Sequence, residues 1–129
     1  MRFLDTTIAN LKSALDLRLF RQNLLAGNVA NADTPGYRPV DVDFDEAMAS
    51  AVATARIRSP GGGLPLSARA ESFIIPAAET TPDLDGNAVD LDRSLVALSE
   101  NALHYGASAR ATSKKLAILR YVASDGTTS

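Results

Sequence analysis

The sequence predicts a mainly α-helical chain, and three observations predict it. Apolar residues recur at helical spacing over the first 32 residues and again from about residue 89 to 123. Large side chains are scarce, with Trp 0, Phe 4 and Tyr 3, while Ala is abundant. A bulky globular core would need more large residues. The stretch between the two periodic segments is broken by Pro and Gly. The expected architecture is two long terminal amphipathic helices, pairing as an antiparallel coiled coil, with a loose, partly extended middle.

The first segment, 1–32, places Leu4, Ile8, Leu11, Leu15, Arg18, Gln22, Leu25 and Val29 at alternating spacings of four and three. That is close to a heptad, interrupted at Arg18 and Gln22. Other apolar residues surround the interruption: Leu17, Leu19, Phe20 and Leu24. The stripe therefore widens or shifts there, which suggests more than one packing partner.

The segment 33–88 opens with a turn. Thr34 precedes a proline and is pushed out of the helical region. Pro35-Gly36 fits the centre of a type II turn, with Gly supplying positive φ. Asn31 and Asp33 are placed to bond groups freed at the helix end. Asn28 and Asn31 share a face, where polar residues cost stability but fix register and partner. From the residues alone, a capped helix end is the plainer reading. The functional one is a joint held against a neighbour in one orientation.

Beyond the turn, Val40, Val42 and Phe44 alternate with Asp41, Asp43 and Asp45 as in a strand. Residues 46–58 read as a short Ala-rich helix. SPGGGLP at 59–65 reads as a flexible breaker, and Phe73, Ile74 and Ile75 form a brief apolar run. This middle is expected to be the most mobile part.

The last segment, 89–123, carries the strongest signal. Leu91, Leu95, Leu98, Ala102, Tyr105, Ala109, Thr112, Leu116, Leu119 and Ala123 keep the heptad spacing with a single polar exception. Asp90 and Asp92 at its start, and Lys114, Lys115 and Arg120 near its end, complement the helix dipole. Gly106 costs roughly 1 kcal/mol relative to Ala inside a helix. With Ala102, Ala109 and Ser113 it forms a small-residue track for close helix approach. The tail at 124–129 is expected to fray. Leu4, Ile8, Leu11 and Leu15 are expected to pack on the seam from Leu91 to Leu119. Such a pair leaves apolar faces that identical or related neighbours would cover.

Composition narrows the function classes. Lys plus Arg is 13 and Asp plus Glu is 15, a net charge of −2, so nothing draws the chain to nucleic acid or an anionic membrane. With Cys 0, disulfides, thiolate metal sites and Cys nucleophiles are excluded. Asp5, Asn10, Lys12, Asp16 and Arg18 interrupt the N-terminal apolar run, so no cleaved secretory signal is expected. No stretch has the length of a membrane span.

Candidate chemistry is weak throughout. Counting an EF-hand loop from Asp83 puts Ala88 and Ser94 where Gly and Glu are required. The bland reading of that stretch is a turn into a helix start with Asp90 or Asp92 near the cap. His104 is the lone His and has no ligand partner pattern. Ser99 lacks a nucleophile-elbow context. Asp43, Asp45 and Glu46 read as a solvated edge, or a patch facing a neighbour's basic residues, before they read as acid–base carboxylates. Gly61-Gly62-Gly63 lacks the following Lys of a phosphate loop. No catalysis, cofactor or metal is expected.

LLAGNVANADTPGY followed by DVDF resembles the N-terminal signature of the bacterial flagellar axial proteins, the rod and hook subunits. A second stretch, PDLDGNAVDLDRSLVALSENALHY at 82–105, is similar to the segment opening the C-terminal helix of that family's proximal rod subunit. The short length fits that subunit. Gly27 stands where the family more often has Ser.

The resemblance implies a self-assembling structural subunit needed for motility and exported unfolded by the flagellar type III apparatus without a cleaved signal. It implies a place in the basal-body rod within the periplasmic space, with the terminal helices paired along the tube's inner wall. The implied partners are copies of the chain, other rod subunits, and ring or export-gate components at the rod base. Asn28, Asn31, Thr34, Pro35, Gly36 and Tyr37 would then set the angle at which the chain leaves the helix pair. Leu4, Ile8, Leu11, Leu15 and the Leu91–Leu119 series would form the helix seam. The alternatives are another short axial rod subunit or, in a different class, a small calcium- or carboxylate-dependent enzyme.

Overall fold

The computed structural model describes residues 2–57, 69–78, 82, 84 and 86–124, with only the backbone at 2–5 and 55–57. Its elements are α1 (Arg2–Ala30), β1 (Val40–Val42), α2 (Phe44–Ile57), a 3₁₀ turn (Glu71–Phe73), β2 (Ile74–Pro76) and α3 (Leu91–Ala123). The chain is mainly helical, with two long helices at its ends. The SPGGGLP breaker, the tail from Asp125 and the side chain of Leu4 lie outside the described residues.

Local chemistry sets the starts of α2 and α3 and the end of α1. Asp90 caps α3, its carboxylate accepting the Arg93 amide at 3.0 Å. Asp43 caps α2 in the same way, accepting from Glu46 N at 3.0 Å. α1 ends at Ala30, with Asn31 N donating to Gly27 O at 3.1 Å, and Thr34-Pro35 keeps the helix from resuming. Of the alternating strip from Val40 to Asp45 only Val40–Val42 is strand, β1, paired antiparallel with β2 so that Asp41 faces Ile75; Phe44 and Asp45 instead open α2, because Asp43 caps a helix there.

The described part of the middle is more ordered in its packing than the Pro and Gly content predicts. Leu17 of α1, Val42 of β1, Ala47 and Ala51 of α2, and Ala70 form the buried cluster. Phe20, Leu24, Phe44, Met48 and Phe73 pack against it. The physical reason lies in α1, whose second apolar face (Leu17, Phe20, Leu24) is covered by α2 and the β-ribbon. Small alanines let α2 approach closely. The widened stripe around Arg18 thus has the second packing partner it suggests, while Leu19 remains 51% exposed.

α3 packs on α1. Asn101 meets Arg18 and Gln22, whereas Ser94 and Ala97 share a cleft with Leu25 and Asn28. The helix is turned away from the orientation its leucine spacing predicts. Its less exposed positions include Ser94, Leu98, Asn101, Ser108, Thr112, Lys115 and Leu119. Leu91, Leu95, Ala102, Tyr105 and Leu116 of the expected seam are exposed, and Leu98, Ala109 and Leu119 are half-buried. On α1, Ile8, Leu11 and Leu15 are half-buried. The polar pair on α1 draws a polar face of α3 inward, and the larger apolar residues are left outside.

Candidate functional site

The corner after α1 is built around one side-chain amide. Asn28 is 1% exposed. Its Nδ2 donates to Val40 O at 2.7 Å, and its Oδ1 accepts from Val40 N at 3.0 Å. The amide thereby pairs with Val40 as a neighbouring strand would, satisfying both backbone groups. Tyr37 reaches the same Oδ1 through its hydroxyl at 3.2 Å.

Asn31 works on the helix end. Its Nδ2 donates to Gly27 O at 2.8 Å, and its Oδ1 accepts the Thr34 hydroxyl at 3.2 Å. Tyr37 N then donates to Thr34 O at 3.2 Å across Pro35-Gly36, with Gly36 at φ 76°. This is the expected type II turn. Asp33 is exposed. Gly36 N also donates to Gly86 O at 3.4 Å, tying the corner to the segment that enters α3. A Cβ at Gly27 would sit 3.8 Å from the Tyr37 hydroxyl, an ordinary contact that fits Ser as readily as Gly.

An ion pair braces the exit strand. Arg21 grips Asp41 through Nε to Oδ1 and through a terminal nitrogen to Oδ2, both at 2.7 Å. Asp41 Oδ1 also accepts from Val42 N at 2.7 Å. The bond to Asp41 raises the Arg21 pKa against the opposing effect of burial. A raised cation pKa means the pairing is present at ordinary pH and lost only above it. Arg18, one turn earlier, is shifted down by burial and then by Arg21, and stacks over the Phe44 ring at 4.4 Å. Between this brace and the start of α3 lies a cleft of about 270 Å³ reaching from Arg21 to Ser94.

The second feature is the outer face of α3. Val96 is 58% exposed, Leu103 75%, Ile118 63% and Val122 65%, with Leu91, Leu95, Leu116 and Tyr121 also open. Nothing lies within 4 Å of a Cβ built on Gly106, so among the described residues no other helix makes a close approach there. An apolar surface this extensive on one helix marks an interaction face.

Among the described residues no three His, Asp or Glu cluster to hold a metal. Asp43 is a helix cap, and His104 is exposed. No described helix is long and apolar enough to cross a membrane. Asn101, fully buried, is a residue that the apolar spacing passes over. The signal for it was on the other helix, where Arg18 and Gln22 break the heptad.

Residues 8–38, from α1 through the corner, match the model of the flagella basal body rod protein family. The flagellar basal body rod protein FlgB of Salmonella typhimurium is 37% identical over 112 residues, covering 79% of this chain and 81% of its own. This chain belongs to the FlgB family. FlgB of Escherichia coli is 35% identical over 123 residues, covering 88% of this chain and 89% of its own. FlgB of Cereibacter sphaeroides is 37% identical over 105 residues, covering 74% and 76%. Members of the FlgB family are structural rod components of the flagellar basal body, not enzymes, and assemble with other basal-body proteins.

Proposed function

We propose that this chain is a subunit of the proximal rod, exported through the flagellar type III apparatus without a cleaved signal and assembled in the periplasmic space. Its neighbours are copies of itself, other rod subunits, and ring or export-gate components at the rod base. Motility requires it. The observation that carries this reading is the outer face of α3, where Leu91, Leu95, Leu103 and Leu116 are exposed while a polar face is turned onto α1. A solitary soluble protein gains nothing from that arrangement, whereas a subunit covered by neighbours does.

The terminal helices pair as an antiparallel coiled coil. Support comes from the order of contacts: α1 ascends from Arg18 to Asn28 while α3 descends from Asn101 to Ser94. The corner from Asn28 to Tyr37, with Asn31, Thr34, Pro35 and Gly36, sets the exit angle of the chain. Leu91, Leu95, Ala102, Tyr105 and Leu116 meet neighbouring subunits. Ile8, Leu11 and Leu15 lie along the helix pair with Leu98, Ala109 and Leu119, and Leu4 continues their spacing.

The test is an in-frame deletion in the source bacterium, with electron microscopy of isolated basal bodies. Rings without a rod, non-motile cells, and rescue by the gene supplied in trans are expected. Intact rods and hooks in the deletion strain would refute the proposal.

A further inference from the structure

We propose that Asn101 sets the register of α3 against α1. Asn101 is the only fully buried residue of α3. Its Nδ2 donates to Arg18 O at 2.9 Å and to Gln22 Oε1 at 2.7 Å. Arg18 and Gln22 are the two positions at which the α1 heptad turns polar. One polar layer on each helix therefore meets the other, and an amide is suited to the role because it offers two donors.

The rest of the α3 seam gives little register information. Seven-residue steps from Asn101 reach Ser94, Ser108 and Lys115, all half-buried and all polar. A slip of seven residues would bring Ser94 or Ser108 to the Arg18–Gln22 layer, and a serine hydroxyl donates only once. The same slip would carry Asn101 to Leu11 and Leu15, or to Leu25 and Val29, which occupy the equivalent positions on α1. There the buried amide meets aliphatic side chains and has no side-chain acceptor. Of these three registers only the native one gives Asn101 both a backbone and a side-chain acceptor.

The arrangement has a cost. Asn101 Oδ1 and the Arg18 Nε are buried with no hydrogen-bond partner among the described residues. A leucine at 101 would avoid part of it, and would also remove the reason for one register. This is the trade made by a single buried Asn in a coiled coil, where stability is given up for uniqueness. Register matters here because a slip would displace the outer face of α3 relative to the corner. That consequence rests on the rod reading, while the register itself does not.

The native chain contains Cys 0, so paired labels can be placed without background. Asn23 and Lys114 are both exposed, one on each helix and far apart along the pair. Spin labels on Asn23→Cys and Lys114→Cys report the axial offset as a distance distribution in the purified full chain. A seven-residue slip changes that offset by roughly 10 Å. With Asn101 present, one narrow distribution is expected. With Asn101→Leu, a second population or marked broadening is expected while helical circular dichroism is retained or increased. Gln22→Leu should broaden it in the same way, and the double variant should do no worse than either single one. One narrow, unshifted distance in Asn101→Leu overturns the proposal, as does a broad distribution in the labelled chain that keeps Asn101. Neither outcome bears on whether the deletion strain builds a rod, so the two readings fail separately.

Discussion

Asn28 does at one position what a strand partner does along its length. Both the nitrogen and the oxygen of its side-chain amide bond Val40, and the Tyr37 hydroxyl adds a third bond. Asn28→Ala leaves Val40 N–H and C=O unpaired in a largely buried place. A loss of about 2 kcal/mol is expected, read as a lower urea midpoint of the purified chain. Asn28→Asp separates bonding from packing. The carboxylate still accepts from Val40 N but faces Val40 O with no donor, so it should be at least as destabilising as alanine despite its shape. Equal stability of Asn28→Asp and the parent would show that the pairing contributes nothing. The corner was partly legible in the sequence. Pro35-Gly36 specifies its turn by local backbone chemistry, and Asn28 stood out as a polar residue on a packing face. That Val40 would be its partner was not legible, because the closure spans twelve residues and depends on how the exit strand lies across α1.

At the scale of elements, the two long helices were readable because periodicity is a local property, and α2 was readable from its alanines. The pairing of β1 was not, since the alternation at 40–42 says nothing of residues 74–76. The free side of β2 offers little to another strand. Hydrogen bonds at Phe73 and Ala77 place Ile75 as the inward-bonding residue, so Ile74 and Pro76 face away. Ile74 N–H is already used on Glu71 O, and Pro76 has no N–H to give.

The orientation of α3 is not legible from spacing, because large leucines dominate its apolar pattern. The burial of Asn101 against Arg18 and Gln22 decides it instead, and a hydrogen bond between residues 83 positions apart leaves no periodic trace. Leu98 lies on the inward half of α3, whereas His104 is exposed. Leu98→Asp places a charge in the helix pair and should abolish motility. His104→Ala should leave swimming in soft agar unchanged. A non-motile His104→Ala strain, or a motile Leu98→Asp strain, would contradict this division of α3 into faces.

For the whole molecule, the distribution of apolar surface separates folding from assembly. The packed cluster belongs to α1, α2 and the β-ribbon, and the outer half of α3 contributes nothing to it. Val96 is 58% exposed and Leu103 75% exposed, so charging them removes little buried area. The double substitution Val96→Asp and Leu103→Asp should therefore move the thermal midpoint of the purified chain only slightly, because exposed sites far from special features change stability by roughly 0.5 kcal/mol or less each. The same substitution should prevent complementation of the deletion strain, since a neighbour seated on this face would have to bury two carboxylates without partners. Circular dichroism and a motility assay on the one variant test both halves. If motility survives, neighbours do not use this face. If the helix content collapses, the outer residues of α3 hold the subunit itself together, and the separation between a packed inner half and an assembling outer half is wrong.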